Sequence, residues 1–381
     1  MIRPRLVNSN SKKQRINNFI RKHTILVFIL AFVFCFVLLY SHFVSQKEDV
    51  LNFILTSMVA FGLLFILAIN VADDKVLPKL FTLPTTTFLI LTTIAPTIYL
   101  LYISFFDVSL ANFRKQWEFN GIENYIRVLS DYVVLESFIR TCEYVVIAVS
   151  LELLFGLCLA MLLNWEFKGK NVFSLILIFP MMMTPIVVGM GWKYFLDFSN
   201  GFINILLTKI GIQPVPWLTS EPLAIAGSNS FLASTLNLKW SFVSMVFVDI
   251  WQWTPFMLLV LLAGLSSLPL DTQEAAMIDG ANAWQRFRYV TFPQLRSTIT
   301  VVVLIRIMDA IKAFDTIWAL FGNGVSTRTL NISIYTFGLG VKKFGQGAAL
   351  SVLTLILVVF LSRMFINLML GKEKTRIIYE K

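Results

Sequence analysis

Eight apolar segments, each about 20 residues long, constrain the fold of this chain more than any other feature. A helix of that length crosses a bilayer core roughly 30 Å thick. Continuous apolar runs indicate helices, because the strands of a membrane barrel would alternate apolar and polar residues. With 57% hydrophobic and 14% charged residues, the chain of 381 residues is too apolar for a soluble globular protein. The sequence therefore predicts an all-α polytopic membrane protein, with spans near 23–43, 50–70, 85–105, 140–164, 171–192, 240–268, 297–320 and 347–370.

The distribution of positive charge predicts the orientation of these spans. Of the 32 Lys and Arg residues, 18 fall on one side of the predicted membrane, 10 on the other and four within spans. The richer side is expected to be cytoplasmic, which places both termini inside a bacterial cytoplasmic membrane. Seven cations precede the first span and account for much of the net charge of +10. They indicate an orientation signal and contact with anionic lipid, or alternatively a partner-specific arm, and nucleic acid is not needed to explain them.

Motifs for catalysis and metal binding are missing from the sequence. Cys35, Cys142 and Cys158 lie in predicted spans without metal-like spacing, which is typical of packing residues. His23 and His42 are the only imidazoles, and there is no P-loop and no Gly-x-Ser-x-Gly. The sequence predicts that the chain is not an enzyme and carries no cofactor itself. The first apolar run lacks a small-residue cleavage site and is predicted to be a retained anchor.

The polar gap between the sixth and seventh predicted spans has the features of a short exposed helix. Asp271 can cap the helix, Glu274 places a carboxylate near its start, and Gly280 can end it in a left-handed conformation. Ala275 and Ala276 are small enough to let another protein approach the backbone closely. These features predict a docking helix. A short amphipathic connector on the bilayer surface is the alternative that capping and composition leave open.

The same gap contains a motif that makes the chain similar to bacterial ABC importer permeases. The motif reads Glu274-Ala-Ala, three residues, Gly280, nine residues, and then an apolar residue, any residue, an apolar residue and Pro293. This sequence meets every one of those spacings. The resemblance therefore implies that the predicted docking helix is the coupling helix of such a permease, with contacts to an ATPase from Glu274, Ala275, Ala276, Asp279 and Gly280.

Segments on either side of the motif extend the resemblance to a narrower group. Asp249-Ile-Trp-Gln-Trp-Thr-Pro-Phe256 and Ala310-Ile-Lys-Ala-Phe-Asp315 resemble carbohydrate-uptake permeases of the maltose, trehalose and glycerol-phosphate type. The resemblance runs over residues 85–370, approximately. It departs at Gly322-Asn-Gly-Val325, where such proteins usually carry a Gly-Gly-Pro turn. The outer loop is therefore expected to have a differently shaped turn.

The resemblance implies a domain organisation and a set of partners. Residues 85–370 would form the permease core with a coupling helix near 271–293, and 371–381 a cytoplasmic tail. Residues 1–84 would form a basic N terminus and an accessory helix pair, with either a lateral packing role or a regulatory one. The implied partners are a second permease subunit, two ATPase subunits that hold ATP and Mg²⁺, and an extracytoplasmic solute-binding protein. The turn-rich gap at 193–239 offers a surface on which that protein could dock.

Charged residues at mid-membrane depth indicate a wet interior, because each costs roughly 2.5 to 3.5 kcal/mol in hydrocarbon. Arg306 and Asp309 are spaced to share one helical face with two alanines. An aromatic face beside hydroxyl-binding side chains suits a carbohydrate. The alternative is an internal ion pair, Arg306 with Asp309 or Asp309 with Lys312, that only holds the helix in place. In permeases of the maltose type, sugar contacts come from the positions matching Gln252, Trp253, Phe256, Arg306, Asp309, Ala310 and Ala313.

Several interpretations stay open at this point. The function could be that of an ion-coupled secondary transporter or a non-transporting scaffold, or the solute could be a glycerol-phosphate derivative rather than a sugar. A secondary transporter usually shows matching halves with broken spans, and none are visible in the sequence. Pro180, Pro185 and Pro255 could each form a hinge, a cavity wall or a simple kink. Glu143 and Glu152 lie in the fourth span with no partner that the sequence assigns.

Overall fold

The computed structural model describes residues 77–221 and 239–379, with side chains for 81–82, 85–221 and 239–367. The first two predicted spans, at 23–43 and 50–70, lie outside the described residues. The chain divides into two compact units, one ending at Tyr99 and the other beginning at Leu100.

Residues 77–104 form three consecutive helical elements. Helix α1 covers Leu77–Leu89, a π-helical turn covers Ile90–Ile94, and helix α2 covers Ala95–Ser104. Pro96 has no backbone N–H to donate to the preceding turn, and a wider turn of this kind accommodates that loss. Residues Thr85–Ser104 are long and apolar enough to cross a membrane, as predicted.

A small ribbon and an amphipathic helix follow in the second unit. Strand β1 (Phe106–Asp107) pairs antiparallel with β2 (Glu118–Phe119), with Phe106 opposite Phe119. Helix α3 (Glu123–Ser130) leaves Ile126 and Leu129 exposed to its surroundings. The sequence suggests two roles for this aromatic-rich region, an interfacial helix on the outer leaflet or anchoring by scattered aromatic side chains, and both stay predictions.

Two long helices form the centre of the second unit. Helix α4 (Tyr132–Leu163) begins eight residues before the predicted span, because the Asp131 side chain accepts a hydrogen bond from the Val133 N–H at 2.8 Å. The next helices are α5 (Lys170–Ile178), α6 (Pro185–Phe195), α7 (Phe202–Lys209) and α8 (Trp240–Ser266). Helix α8 agrees closely with the predicted sixth span.

The predicted fifth span, 171–192, is present as a helix pair with a sharp bend between its two parts. Helices α5 and α6 meet at a bend of 101° and are separated by the 3₁₀ turn Phe179–Met182. Pro185 cannot donate a backbone hydrogen bond, and it forces Thr184 into an extended conformation with ψ 140°. Pro180, in the 3₁₀ turn, and Pro185, at the start of α6, therefore produce a sharp break in this span rather than a gentle curve.

The seventh span also differs from its prediction at both ends. Helix α9 (Leu270–Ile278), the short α10 (Ala283–Arg286) and the π turn Phe287–Thr291 lead into α11 (Phe292–Ile311). Helical structure is continuous from Ala283 to Ile311 and then stops. The Asn331 side chain donates a hydrogen bond to the Lys312 carbonyl, which satisfies an acceptor at the helix end. Helix α12 begins again at Asp315 and runs to Phe321.

The remaining elements complete the second unit. They are a 3₁₀ turn (Val325–Thr327), α13 (Leu330–Tyr335), a π turn (Thr336–Gly340) and α14 (Phe344–Tyr379). Helix α14 contains the predicted last span, 347–370, and its residues Phe344–Asn367 are long and apolar enough to cross a membrane. Among the described residues, five helices can cross a membrane by length and composition, or six if the bent α5–α6 pair is one span.

Helices α4 and α8 run side by side in the same direction. The Arg140 guanidinium lies 5.3 Å from the Phe242 ring centroid near their N-terminal ends. Further along, Gly156 lies against Met257, and a Cβ added to that glycine would be 2.5 Å from the Met257 Cβ. Only glycine permits helices to approach this closely. The main apolar core forms around this contact and includes Tyr144, Ala148, Leu258, Leu261 and Val302.

Candidate translocation site and coupling surface

A buried ion cluster joins the three central helices α4, α8 and α11. Arg306 is 1% exposed, and its Nε lies 2.8 Å from Glu152 Oε2. Its Nη2 lies 2.9 Å from Glu152 Oε1 and 2.5 Å from Asp249 Oδ2. Charges at this depth are stable when they pair and hydrogen-bond with one another. The Arg306 guanidinium is therefore already bound by the carboxylates of Glu152 and Asp249.

The ion pair between Arg306 and Asp309, which the sequence offered as one alternative, is not formed. Asp309 instead pairs with Lys312 at 3.3 Å, and both side chains are about half exposed, at 45% and 59%. Exposed charges within a spanning segment need water or another protein beside them, because lipid would not solvate them. This face of α11 is consequently unsuited to contact with lipid.

Glu152 and Asp249 are the two members of this cluster that were not part of the predicted site, and the sequence assigned no partner to Glu152. A carboxylate inside a long apolar span was a signal that a partner must exist. The partner lies 154 residues away in the chain, so spacing along one helix could not reveal it. Glu143 pairs locally, with Arg140 Nη1 at 2.8 Å from its Oε2.

The aromatic residues predicted to stack on a sugar lie next to the ion cluster. The Arg306 Cζ is 5.0 Å from the Trp253 ring centroid, a cation–π distance. Trp253 is only half-buried, so part of its ring remains accessible. Phe256 is also half-buried and packs against the main core. One face of Trp253 is thus held by the guanidinium while another part is available for a ligand.

Gln252 connects the two places where spans are interrupted. Its Nε2 donates to the Met183 carbonyl at 3.4 Å, next to the α5–α6 bend. Its Oε1 accepts from the Thr316 hydroxyl at 3.3 Å, just after the α11–α12 break. Thr316 Oγ1 also lies 3.1 Å from the carbonyl oxygen of Pro185. The predicted hydroxyl-binding amide of Gln252 is therefore buried and engaged with the backbone and with Thr316.

The two alanines of the predicted site differ in exposure. Ala310 is fully buried in the main core, and Ala313 is half-buried against it. Asp309, between the ion cluster and these alanines, keeps an exposed carboxylate. The structure thus brings Trp253 and Arg306 together, engages Gln252 with Met183 and Thr316, and leaves Asp309 as the exposed charged member of the predicted set.

The predicted docking helix is present as α9, although its N terminus differs from the prediction. Asp271 does not cap the helix but is its second residue, because Pro269 takes the preceding extended position. The C-terminal prediction is confirmed: Gly280 has φ +79°. Its N–H donates to the Met277 carbonyl at 3.1 Å, and the Ala281 N–H donates to the Ala276 carbonyl at 3.0 Å. Gly280 therefore terminates α9 in a left-handed conformation.

The outer surface of α9 is uncovered. Glu274, Ala275, Asp279 and Gly280 are exposed, and Ala276 is half-buried. Large apolar side chains beside them are also exposed, which is typical of a surface that binds another protein or lies against a membrane. The most exposed are Leu270, Ile278 at 86%, Trp284 and Tyr289.

Side-chain contacts attach α9 to the segment that precedes α11. Gln273 Nε2 donates to the Thr291 hydroxyl at 3.2 Å. Asn282 and Gln285 form a reciprocal capping box at the start of α10. These contacts connect α9 to the segment that leads into α11, which carries Arg306 and Asp309.

Comparison with known proteins identifies the family. Residues 152–374 match the family described as binding-protein-dependent transport system inner membrane component. This chain belongs to that family. A probable ABC transporter permease of Sinorhizobium fredii is 36% identical over 74% of this chain and 86% of its own length. The trehalose/maltose transport system permease MalF of Thermococcus litoralis is 35% identical over 65% of this chain and 78% of its own length.

Solved structures support the same fold. The crystal structure of a bacterial alginate ABC transporter, in complex with its alginate pentasaccharide-bound periplasmic protein, contains a similar chain. The match has a TM-score of 0.63 at 20% identity and covers 76% of this chain and 93% of that one. This chain therefore has the fold of an ABC transporter permease over 76% of its length.

The family assignment decides between the functional classes that the sequence left open. This permease is a multi-pass inner membrane protein and a component of a binding-protein-dependent transport system. No matching halves with broken spans are visible in the sequence, and this counted against a secondary transporter, but the structure interrupts the helices at α5–α6 and at α11–α12, so broken spans do not distinguish the classes. The family match, and not the continuity of the spans, excludes a secondary transporter and a scaffold.

Proposed function

We propose that this permease is one of two membrane subunits of an ATP-driven ABC importer for a sugar or sugar-like solute. The observation that carries the proposal is the uncovered helix α9 with its motif and its left-handed stop at Gly280. The sugar class is supported by relatives whose names refer to trehalose, maltose and sulfoquinovosyl glycerol. A half-exposed Trp253 against Arg306, and the carboxylate of Asp309 three residues further along α11, fit a ligand with an apolar ring face and hydroxyl groups.

The coupling surface would contact one of two cytoplasmic ATPase subunits, which would hold ATP and Mg²⁺. Glu274 and Asp279 would meet polar groups of a cleft in the ATPase, and Ala275, Ala276 and Gly280 would allow close approach. In this proposal both termini of the permease would lie in the cytoplasm, as the distribution of positive charge predicts. A second, similar permease subunit and an extracytoplasmic solute-binding protein would complete the importer.

Movement of α9 would alter the solute site through α11. When the ATPases close, the Gln273–Thr291 contact would transmit the displacement to α11. Gln252 and Thr316 would hold the two interrupted spans together during that movement. The site would then change from inward to outward access as a population shift between two arrangements.

Within the site, some of the predicted residues would touch the solute and the others would hold those residues in position. Trp253, Phe256 and Asp309 have exposed surface that a solute could touch, with Ala313 leaving space beside them. Three further predicted contacts, Gln252, Arg306 and Ala310, would act by positioning these residues, because all three are buried.

Transport in proteoliposomes tests the proposal. Vesicles would hold the complete importer with ATP inside and the cognate binding protein outside, and would be offered radiolabelled maltose, trehalose or glycerol 3-phosphate. We expect accumulation of a sugar only when ATP is enclosed. Uptake driven by an ion gradient without ATP would contradict the importer assignment, and uptake of glycerol 3-phosphate alone would contradict the sugar class.

A further inference from the structure

One end of the second unit lies opposite the coupling surface. Helices α4 and α8 are parallel, so Tyr132 and Trp240 mark the same end of the bundle. The other end of α8, at Ser266, leads directly into α9. The segments that adjoin the start of α4, residues 106–119 and 339–345, therefore lie on the side away from the coupling helix.

Backbone hydrogen bonds hold these two segments together. The Leu110 N–H donates to the Lys342 carbonyl at 3.0 Å, and the Gly345 N–H donates to the Val108 carbonyl at 2.9 Å. The Asn112 side chain fixes the first segment, since its Oδ1 accepts from the Ser109 N–H and its Nδ2 donates to the Asp107 carbonyl, both at 2.7 Å. The side chains of both segments thus form one ordered surface.

Four cations lie on this surface and are not neutralised. Arg114, Lys115, Lys342 and Lys343 are exposed, and none of them forms a salt bridge within the described ranges 77–221 and 239–379. The ring contact between Phe113 and Phe344, at 5.6 Å, brings the two pairs of cations near each other. The nearby carboxylates are Asp107 and Glu118, which face each other across the ribbon. The surface keeps a net charge of +2 when these are counted against the four cations.

Positive charge at this position is unexpected in two respects. Cations on the side away from the cytoplasm oppose the charge distribution that favours membrane insertion. Lys342 also has φ +58°, and it is the single non-glycine residue with positive φ in the described part of the chain. A side chain in that conformation strains the backbone, and strain of this kind persists where the side chain has a function. Both features indicate that the positive side chains are used.

Apolar side chains surround the cations. Leu110, Phe113, Leu339 and Val341 are each more than half exposed. A spanning segment, Phe344–Asn367, begins directly beside them. Basic and apolar side chains mixed in this way at the end of a span match the boundary between lipid headgroups and acyl chains. A purely protein partner would have less need of such exposed apolar flanks.

We propose that this surface, defined by Arg114, Lys115, Lys342 and Lys343, binds the phosphate of an anionic phospholipid in the leaflet away from the coupling helix. The four apolar side chains contact the glycerol and upper acyl region of the same lipid. Lys342 directs its ammonium group toward the headgroup from its strained turn. The proposal is independent of the transported solute.

Lipid retention by the complete importer tests this site. The purified complex is titrated with dioleoyl phosphatidylglycerol or dioleoyl phosphatidylcholine, and bound lipid is counted by native mass spectrometry. We compare the wild type with Lys342→Gly, with the triple variant Arg114→Gln, Lys342→Gly, Lys343→Gln, and with Lys209→Gln as a matched exposed cation outside the cluster. Glycine adopts the left-handed conformation without strain, so Lys342→Gly is expected to fold.

We expect phosphatidylglycerol retention to fall about fivefold for each cation removed, with no change for Lys209→Gln or for phosphatidylcholine. Equal retention by the wild type and the triple variant would overturn the proposal. Unchanged retention with weaker attachment of the binding protein would assign the surface to an acidic protein partner instead. Displacement of the lipid by millimolar inorganic phosphate would assign it to a free anion.

Discussion

Arg306 and Glu152 form a two-point ion contact between α11 and α4, with Nε to Oε2 at 2.8 Å and Nη2 to Oε1 at 2.9 Å. The same guanidinium also contacts Asp249 on α8, so one side chain connects three helices. In this geometry Arg306 holds three helices together at the depth where a solute would pass. Its influence on transport would then operate through the position of Trp253.

The first prediction concerns this cluster. Arg306→Gln leaves two buried carboxylates without a cation, and we expect a loss of about 3–5 kcal/mol in the stability of the permease. The yield and thermal unfolding of the assembled complex provide the measurement. Arg328→Gln removes a guanidinium without a carboxylate partner among the described residues, so it serves as a control.

A double change separates the structural role from a substrate role. In Arg306→Gln with Glu152→Gln, fewer unpaired charges remain buried, so assembly should recover in part relative to Arg306→Gln alone. No recovery of assembly would contradict the cluster as the reason for the instability. Recovery of assembly without transport would instead assign Arg306 a direct contact with the solute.

The second prediction concerns the aromatic surface of the site. Trp253→Ala should reduce uptake roughly 5- to 150-fold, because one good solute contact contributes about 1–3 kcal/mol. Trp253→Phe keeps a ring and should retain most of the activity. Uptake and binding-protein-stimulated ATP hydrolysis are measured on the same preparations. Stimulated hydrolysis should persist in Trp253→Ala, and normal uptake by that variant would remove Trp253 from the site.

The third prediction concerns the coupling surface. Glu274→Lys should leave the permease inserted but weaken attachment of the ATPase, because it reverses an exposed charge on α9. Glu166→Lys reverses another exposed carboxylate, one paired only with Lys170, and should have little effect. Co-purification of the ATPase is the measurement. Equal co-purification of both variants would show that α9 is a surface connector.

The fourth prediction concerns the contact between the two interrupted spans. A Cβ added at Gly189 would lie 2.6 Å from the Ala319 Cβ and 2.7 Å from the Thr316 carbonyl oxygen. Gly189→Ala should therefore force α6 and α12 apart and cost about 1–3 kcal/mol of stability. Gly191→Ala, on the same helix, meets nothing within 4 Å and is the matched control. Thermal unfolding distinguishes them, and equal melting temperatures would contradict the close approach.

The fifth prediction tests the orientation. In a background without native cysteines, a cysteine at Gln285 should be protected from an impermeant thiol reagent added outside the cell. A cysteine at Ser199, in the exposed turn after α6, should react. Residue 228, in the same predicted outer gap, would also serve but lies outside the described residues. Labelling of Gln285→Cys and protection of Ser199→Cys would reverse the proposed topology.

The lengths of the apolar runs and the local residue types predicted those parts of the fold that depend on residues close together in the sequence. The apolar runs at α4, α8 and α14 are long enough to require spans, and Gly280 ends α9 because the left-handed position favours glycine. The size of the bend before Pro185 could not be predicted, since a proline permits either a small kink or a full break. In the folded chain, α6 packs closely against α12 at Gly189, and this contact between distant residues accompanies the full break.

The candidate site was predictable in composition but not in arrangement. Helical spacing placed Arg306 and Asp309 on one face of a helix, and the structure places both on α11, with Arg306 buried and Asp309 about half exposed. Spacing could not show that Arg306 would turn toward Glu152 and Asp249, because those partners come from other helices. Gln252 likewise has the chemistry to bind hydroxyl groups, but its amide is engaged by Met183 and Thr316.

The ion cluster also sets a condition on biosynthesis. Glu152 enters the membrane 154 residues before Arg306, and Asp249 enters 57 residues before it. Until the last of these helices is inserted, each carboxylate is a liability of roughly 2.5–3.5 kcal/mol in the bilayer. The nascent chain must therefore be sheltered by the insertion machinery or by neutralising protons during that interval. A chain that ends before residue 306 would lack the guanidinium that pairs with Glu152 and Asp249. Cellular quality control could recognise such a product by its unpaired carboxylates alone.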